Sequence, residues 1–89
     1  MIARGQRSAV ASTFAAQRME RLRAGACIPA QRVNGSDTLK RGGEWVAINE
    51  WTFIDEANQT YRVRIISTYK TVKNQTRTET LELGVPCLV

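Results

Sequence analysis

Chemistry in this chain would have to come from a short list of side chains. There are two cysteines, Cys27 and Cys87, sixty residues apart, and no histidine. The commonest general base and metal ligand is therefore missing. Two distant cysteines do not have the spacing of a metal site. Glu50, Asp55 and Glu56 are the only acids that cluster, and they flank an expected loop, where solvated turn residues are the simpler reading than paired acid–base carboxylates. Arg41-Gly42-Gly43-Glu44 lacks the lysine and the following helix of a phosphate-binding loop. The composition thus points away from an enzyme, with no catalytic, metal-binding or cofactor-binding residue and no small-molecule substrate.

Cysteine usage also bears on compartment. The first residues are basic, but Thr13, Gln17, Arg18, Glu20 and Arg21 interrupt every apolar run that could follow as a leader. The expectation is a cytoplasmic protein with no membrane segment and reduced thiols, each a small buried apolar group at the end of an element. The spacing leaves a disulfide open. Three Asn-x-Ser/Thr triplets begin at Asn34, Asn58 and Asn74; in such a compartment they read as turns, not glycan acceptors.

The remaining reactive feature is charge. The chain carries +5 overall, unevenly placed. Residues 1–43 hold eight basic and two acidic residues, and residues 44–89 hold five basic and six acidic ones. An anionic partner for the first half follows, either nucleic acid or an acidic protein surface. Arg4, Arg7, Arg18, Arg21 and Arg23 are the candidate contacts. The plainer alternative is an arginine-rich, solvated helix face. Arg62, Arg64 and Lys70 add cations to one strand face, and Trp45, Trp51, Tyr61 and Tyr69 lie on strands as in sheet-based RNA binders. No RNA-binding consensus is present, however, and Tyr61 and Tyr69 alternate with Val63 and Ile65, which assigns them to a core.

These residues must be positioned by few elements, because 89 residues make one small domain. Residues 6–24 read as a basic helix, rich in Ala, Arg, Gln, Met and Leu, with Ser8 as N-cap and Gly25 as stop. Val10, Ala11, Phe14, Ala15, Met19 and Leu22 share half the wheel, with Arg18 inside the arc. Residues 25–43 read as an irregular loop with a short strand near Ala30–Val33 and turns at Asn34-Gly35-Ser36-Asp37 and Gly42-Gly43. Residues 44–89 read as a β-meander. Glu44–Glu56 is strand-like, with a bulge or a break between two short strands expected at Asn49-Glu50. Residues 60–73 place Tyr61, Val63, Ile65, Ser67 and Tyr69 on one face. Residues 77–85 place Leu81, Leu83 and Val85 on one face. A turn at Asn74-Gln75-Thr76 would set Tyr69 opposite Leu81 and Ile65 opposite Val85. A turn over Asp55–Gln59 would set Trp51 and Phe53 against Val63 and Tyr61. The fold class is therefore α+β: one amphipathic helix on a three- to four-stranded antiparallel meander.

Marginal size, an imperfect helix and an apolar C-terminus at Leu88 and Val89 suit an assembly protein that completes its burial against neighbours. Phe14, Met19, Leu22, Leu88 and Val89 are the candidate subunit contacts. The run Gly43-Glu44-Trp45-Val46-Ala47-Ile48, then Gln59-Thr60-Tyr61-Arg62-Val63-Arg64-Ile65-Ile66, then Thr80-Leu81-Glu82-Leu83-Gly84-Val85-Pro86, resembles the small head–tail joining (connector or stopper) proteins of tailed bacteriophages. The resemblance covers residues 43–86. It implies a non-enzymatic virion subunit, built into a homo-oligomeric ring between portal and tail, with the basic half facing an acidic neighbour or passing DNA. The alternative is a small nucleic-acid-binding or regulatory protein; an inhibitor of a host defence enzyme would have the same sequence features.

Overall fold

A computed structural model describes residues 2–71 and 73–87, with side chains from Ala9 onward. One helix, α1 (Ile2–Gly25), is followed by a 3-10 turn (Pro29–Gln31) and four strands: β1 (Gly35–Arg41), β2 (Glu44–Glu56), β3 (Thr60–Lys70) and β4 (Thr76–Pro86). The strands form one antiparallel sheet in the order β1-β2-β3-β4. The α+β class, with an N-terminal helix on an antiparallel meander, is what the sequence patterns predicted. The helix lies mainly over β3 and reaches β2 and β4.

Helix α1 starts before its expected N-cap. Ser8 lies inside it, because Ala3, Arg4, Gln6 and Arg7 are good helix formers and a single Gly5 costs only about 1 kcal/mol. Ala11, Ala15, Met19, Leu22 and Ala26 form the buried stripe. The two alanines let the helix approach the sheet closely beside Ala47.

The stretch expected to be irregular contains a full strand. Ala30–Val33 is not extended; Pro29 opens a 3-10 turn there, having no amide hydrogen to lose. Asn34-Gly35-Ser36-Asp37 is not a turn but the start of β1. The Asn34 carboxamide oxygen accepts from the Phe53 amide at 2.8 Å, extending the ladder by a side chain. Gly35 is needed because the Trp51 ring lies on its backbone, and a Cβ there would come within 2.9 Å of the ring. The Trp51 indole also donates to the Val33 carbonyl at 3.0 Å.

Gly42-Gly43 is the predicted turn. Both glycines have positive φ (60° and 83°), as a two-residue hairpin between Arg41 and Glu44 requires. Strand β2 runs unbroken through Asn49-Glu50. Its irregularity sits at Val46, an extra residue where the β1 partner shifts from Ala47 to Trp45. That bulge explains the consecutive apolar run, since Val46 and Ala47 are both buried.

Both hairpin registers keep the expected faces and differ in alignment. Trp51 pairs with Ile65 and Phe53 with Val63, because the turn spans Ala57–Gln59, with Asn58 and Gln59 at positive φ. Tyr69 pairs with Arg77, not Leu81, and Ile65 pairs with Leu81, not Val85. Here β3 ends at Lys70, and the Thr71 amide closes the turn onto the Gln75 carbonyl at 2.7 Å. The observed register matches Ile65 to Leu81, Val63 to Leu83 and Tyr61 to Val85, which packs the larger apolar set.

Below the helix the core is divided. Met19, Leu22, Ala26, Val63 and Ile65 form one cluster, and Ala11, Ala47 and Tyr69 another. Between them a polar row crosses all four strands: Asp37, Asn49, Ser67 and Glu79 are successive cross-strand partners. Asn49 is fully buried and Ser67 is 2% exposed, yet Asn49 Oδ1 and Ser67 Oγ have no hydrogen-bond partner. A buried hydroxyl without a partner bears its desolvation cost uncompensated. Ser67→Ala is therefore expected to raise stability by about 1 kcal/mol. Chemical denaturation of the two proteins reads this directly, and a clear loss of stability in the alanine variant would refute it.

Candidate functional site

Among the described residues, the predicted anionic-partner contacts Arg18, Arg21 and Arg23 are placed in different surroundings. Arg18 is turned inward. Its Nε donates to Asp37 Oδ2 at 2.8 Å, its Nη2 donates to the same oxygen, and its guanidinium sits 4.7 Å from the Trp51 ring centroid. Arg23 is paired with Glu20 one turn away at 2.8 Å. Arg21 lines a small cleft with Phe14, Gln17, Arg18 and Asp37. Arg4 and Arg7 lie on the first turns of α1, and their side chains are outside the described residues.

The outer face of the sheet spends its cations in the same way. Arg62 bonds to Glu56 at 3.3 Å and Glu82 at 3.4 Å, and Arg64 bonds to Glu82 at 2.9 Å. The hydrogen bond that Arg62 donates to Glu56 and the charge of Glu56, with Glu82 adding to both, hold the Arg62 guanidinium pKa above its ordinary value. Lys70 stacks on Trp45 at 4.5 Å on this face, and on the helix face Arg32 stacks on Tyr61 at 3.9 Å. Cations held by internal acids and aromatic rings are poorly placed to neutralise a run of phosphates. The outer face also carries Thr38, Ile48, Thr52, Ile54, Ile66, Thr68, Thr78 and Thr80, with Lys40 and Glu50 among them.

The acids do not converge either. Side chains alternate along a strand, so Asp55 faces away from Glu50 and Glu56 on β2. Among the described residues no group of three His, Cys, Asp or Glu side chains could hold a metal ion. No helix among them is long and apolar enough to cross a membrane.

Of the predicted subunit contacts, Met19 and Leu22 are buried in the chain's own core and present little surface to a neighbour. Phe14 is half-buried and lines an open cleft of about 340 Å³ between α1 and β1, with Val10, Gln17, Leu39 and Arg41. Leu88 and Val89 lie outside the described residues.

Cys27 and Cys87 are not separate buried thiols. They form a disulfide, with 5.3 Å between their Cα atoms. Cys27 is exposed and Cys87 half-buried. The topology brings them together. Pro86 is the β4 partner of Thr60, and the Cys87 amide donates to the Gln59 carbonyl at 2.8 Å, so β4 ends where α1 turns back toward the sheet.

The sequence reading passed over one feature: the two strand edges. Among the described residues, β1 and β4 each pair on one side only. β4 is the longer, with eleven residues, and carries no lysine and no bulge. Its Thr-x-Thr-x-Thr pattern at Thr76, Thr78 and Thr80 was a sequence signal for an extended, exposed strand.

No protein-family model, curated protein or solved structure matches this chain.

Proposed function

We propose that this chain is a non-enzymatic assembly subunit that works through protein–protein contacts in a homo-oligomeric ring, in the manner of the head–tail joining proteins it resembles. The observation that carries this reading is the free edge of β4, eleven residues of regular backbone with unpaired donors and acceptors. Isolated domains usually blunt such an edge with a lysine, a bulge or a covering segment, because it templates pairing with another chain. Here lysine and bulge are absent, and the edge carries only the scattered charges Arg77, Glu79 and Glu82 and Pro86 at the strand's last position. The alternative nucleic-acid reading has less support, since Arg18, Arg23, Arg62 and Arg64 are engaged by acids of the same chain. The disulfide fits a protein that meets an oxidising setting. A subunit built in the cytoplasm and carried out in a particle meets one after release.

Sedimentation equilibrium of the oxidised protein over a concentration series tests the reading. The expected result is a mass that rises above that of one chain and settles at a multiple of it. A monomer at every concentration would end the assembly reading.

A further inference from the structure

The assembly reading leaves open which surfaces meet, and the two edges of the sheet supply an answer that rests on that reading. The sheet has four strands in sequence order, each antiparallel to the next. β1 and β4 therefore run in opposite directions. A second copy in the same orientation, placed beside β4, presents its β1 antiparallel to β4, with its helix on the same side of the sheet. The meander then continues from one copy into the next with no change of pattern.

Charge favours this arrangement over the pairing of two β4 strands. β1 contains Asp37, Lys40 and Arg41, a net charge of +1, and β4 contains Arg77, Glu79 and Glu82, a net charge of −1. Two β4 edges would set one net-negative strand against another. A β4–β1 contact brings opposite charges together.

We infer that β4 of one copy pairs head to tail with β1 of the next, in the register that sets Glu79 opposite Arg41 and Leu81 opposite Leu39. The register follows from the side chains on the helix face. All seven residues of β1 are then covered by β4 residues 79–85. Neither Glu79 nor Arg41 has an ion-pair partner among the described residues, and both are exposed. Leu39 and Leu81 are each half-buried, so a neighbour completes their burial. Leu39 and Arg41 also line the open cleft beside Phe14, and the incoming edge closes its outer side. The competing register, Arg77 opposite Asp37, covers only part of β1 and asks for a carboxylate that Arg18 already holds. Thr80 falls opposite Lys40, and Leu83 falls opposite Asp37, which is turned under its own helix.

Head-to-tail contacts use two different patches, so each copy keeps one free until a ring closes or a filament grows. Charge reversal tests the pairing in the oxidised full chain. Glu79→Arg and Arg41→Glu are each expected to weaken association about tenfold, equivalent to roughly 1.4 kcal/mol. The double variant Glu79→Arg/Arg41→Glu is expected to regain assembly. An equimolar mixture of the two single variants is also expected to assemble, by alternation. Circular dichroism establishes that each variant is folded; Glu79 loses only a 3.4 Å contact from the Tyr69 hydroxyl. If the native chain associates and the single variants do so equally well, this pairing is wrong while the assembly reading stands. Failure of both the double variant and the mixture to recover would overturn the register and the pairing together. A native chain that never associates removes the assembly reading itself.

Discussion

Replacing Cys27 and Cys87 together by alanine, or reducing the native protein, is expected to cost about 4 kcal/mol of stability. The bond closes a loop of sixty residues, from the end of α1 through every strand of the sheet to the end of β4. On the chain-entropy account, a cross-link of that span removes much of the freedom of the unfolded state. The loss matters because a domain of this size is stabilised by roughly 4–13 kcal/mol in all. Each kcal/mol moves the midpoint of a small domain by roughly 4–8 °C, so the shift amounts to roughly 20 °C. Thermal melts with and without a strong reductant measure it. The exposure of Cys27 gives the reductant access without prior unfolding. A shift of only a few degrees would mean that the α1–β4 junction is held by its packing, with Ala26 beside Val63 and Ile65, rather than by the bond.

The disulfide also marks where sequence reasoning stopped. Face assignments were legible, because alternation of apolar and polar residues survives any even change of register. Tyr61, Val63, Ile65, Ser67 and Tyr69 do share the helix face. Alignment was not legible, because it depends on turn length. The Thr71–Gln75 turn places Asn74 at positive φ (62°), and a Thr71 hydroxyl accepts from the Gln75 amide at 3.3 Å. Those are details of geometry that composition does not carry. The cysteine pairing depends on the same alignment, since it is the β3–β4 register that brings Pro86 beside Thr60.

Strand β1 shows a different failure. Asn34 and Gly35 carry a strong turn signal because Asn and Gly tolerate turn backbone. In this fold the Asn34 side chain caps the ladder at Phe53, and Gly35 makes room for Trp51. Both demands are set by residues of β2, far along the sequence. Likewise, the charge of Arg18, Arg62 and Arg64 was legible, but its use was not. Their acidic partners Asp37, Glu56 and Glu82 come from other strands or distant positions. Among the cations of residues 1–43, Arg18 and Arg23 are held by acids of the same chain, Asp37 and Glu20. The β4 edge was visible as a strand, and its being an edge followed only from the order of the sheet.

Arg18→Ala should destabilise the chain by about 2–3 kcal/mol, a loss that separates a structural arginine from a binding one. Arg18 and Asp37 are 24% and 23% exposed, and Asp37 lies beside fully buried Asn49 in the polar row. Removing the guanidinium strands a carboxylate whose other oxygen, Oδ1, already has no partner. It also removes the cation from the face of Trp51. Full burial of an orphaned charge would cost about 3–5 kcal/mol, and the remaining exposure reduces that figure. The cause can be isolated with the double variant Arg18→Met/Asp37→Leu. It removes both charges and should restore most of the loss, since apolar replacement of an ion pair is often neutral. Equilibrium unfolding of the single and double variants closes the cycle. A single variant as stable as the native chain would leave Arg18 free for an outside partner and revive the anionic-partner reading. A destabilised single variant with a recovered double would assign Arg18 to holding β1 under the helix. Arg18 would then contribute to assembly indirectly, by fixing the strand that presents Leu39 and Arg41 to the next copy.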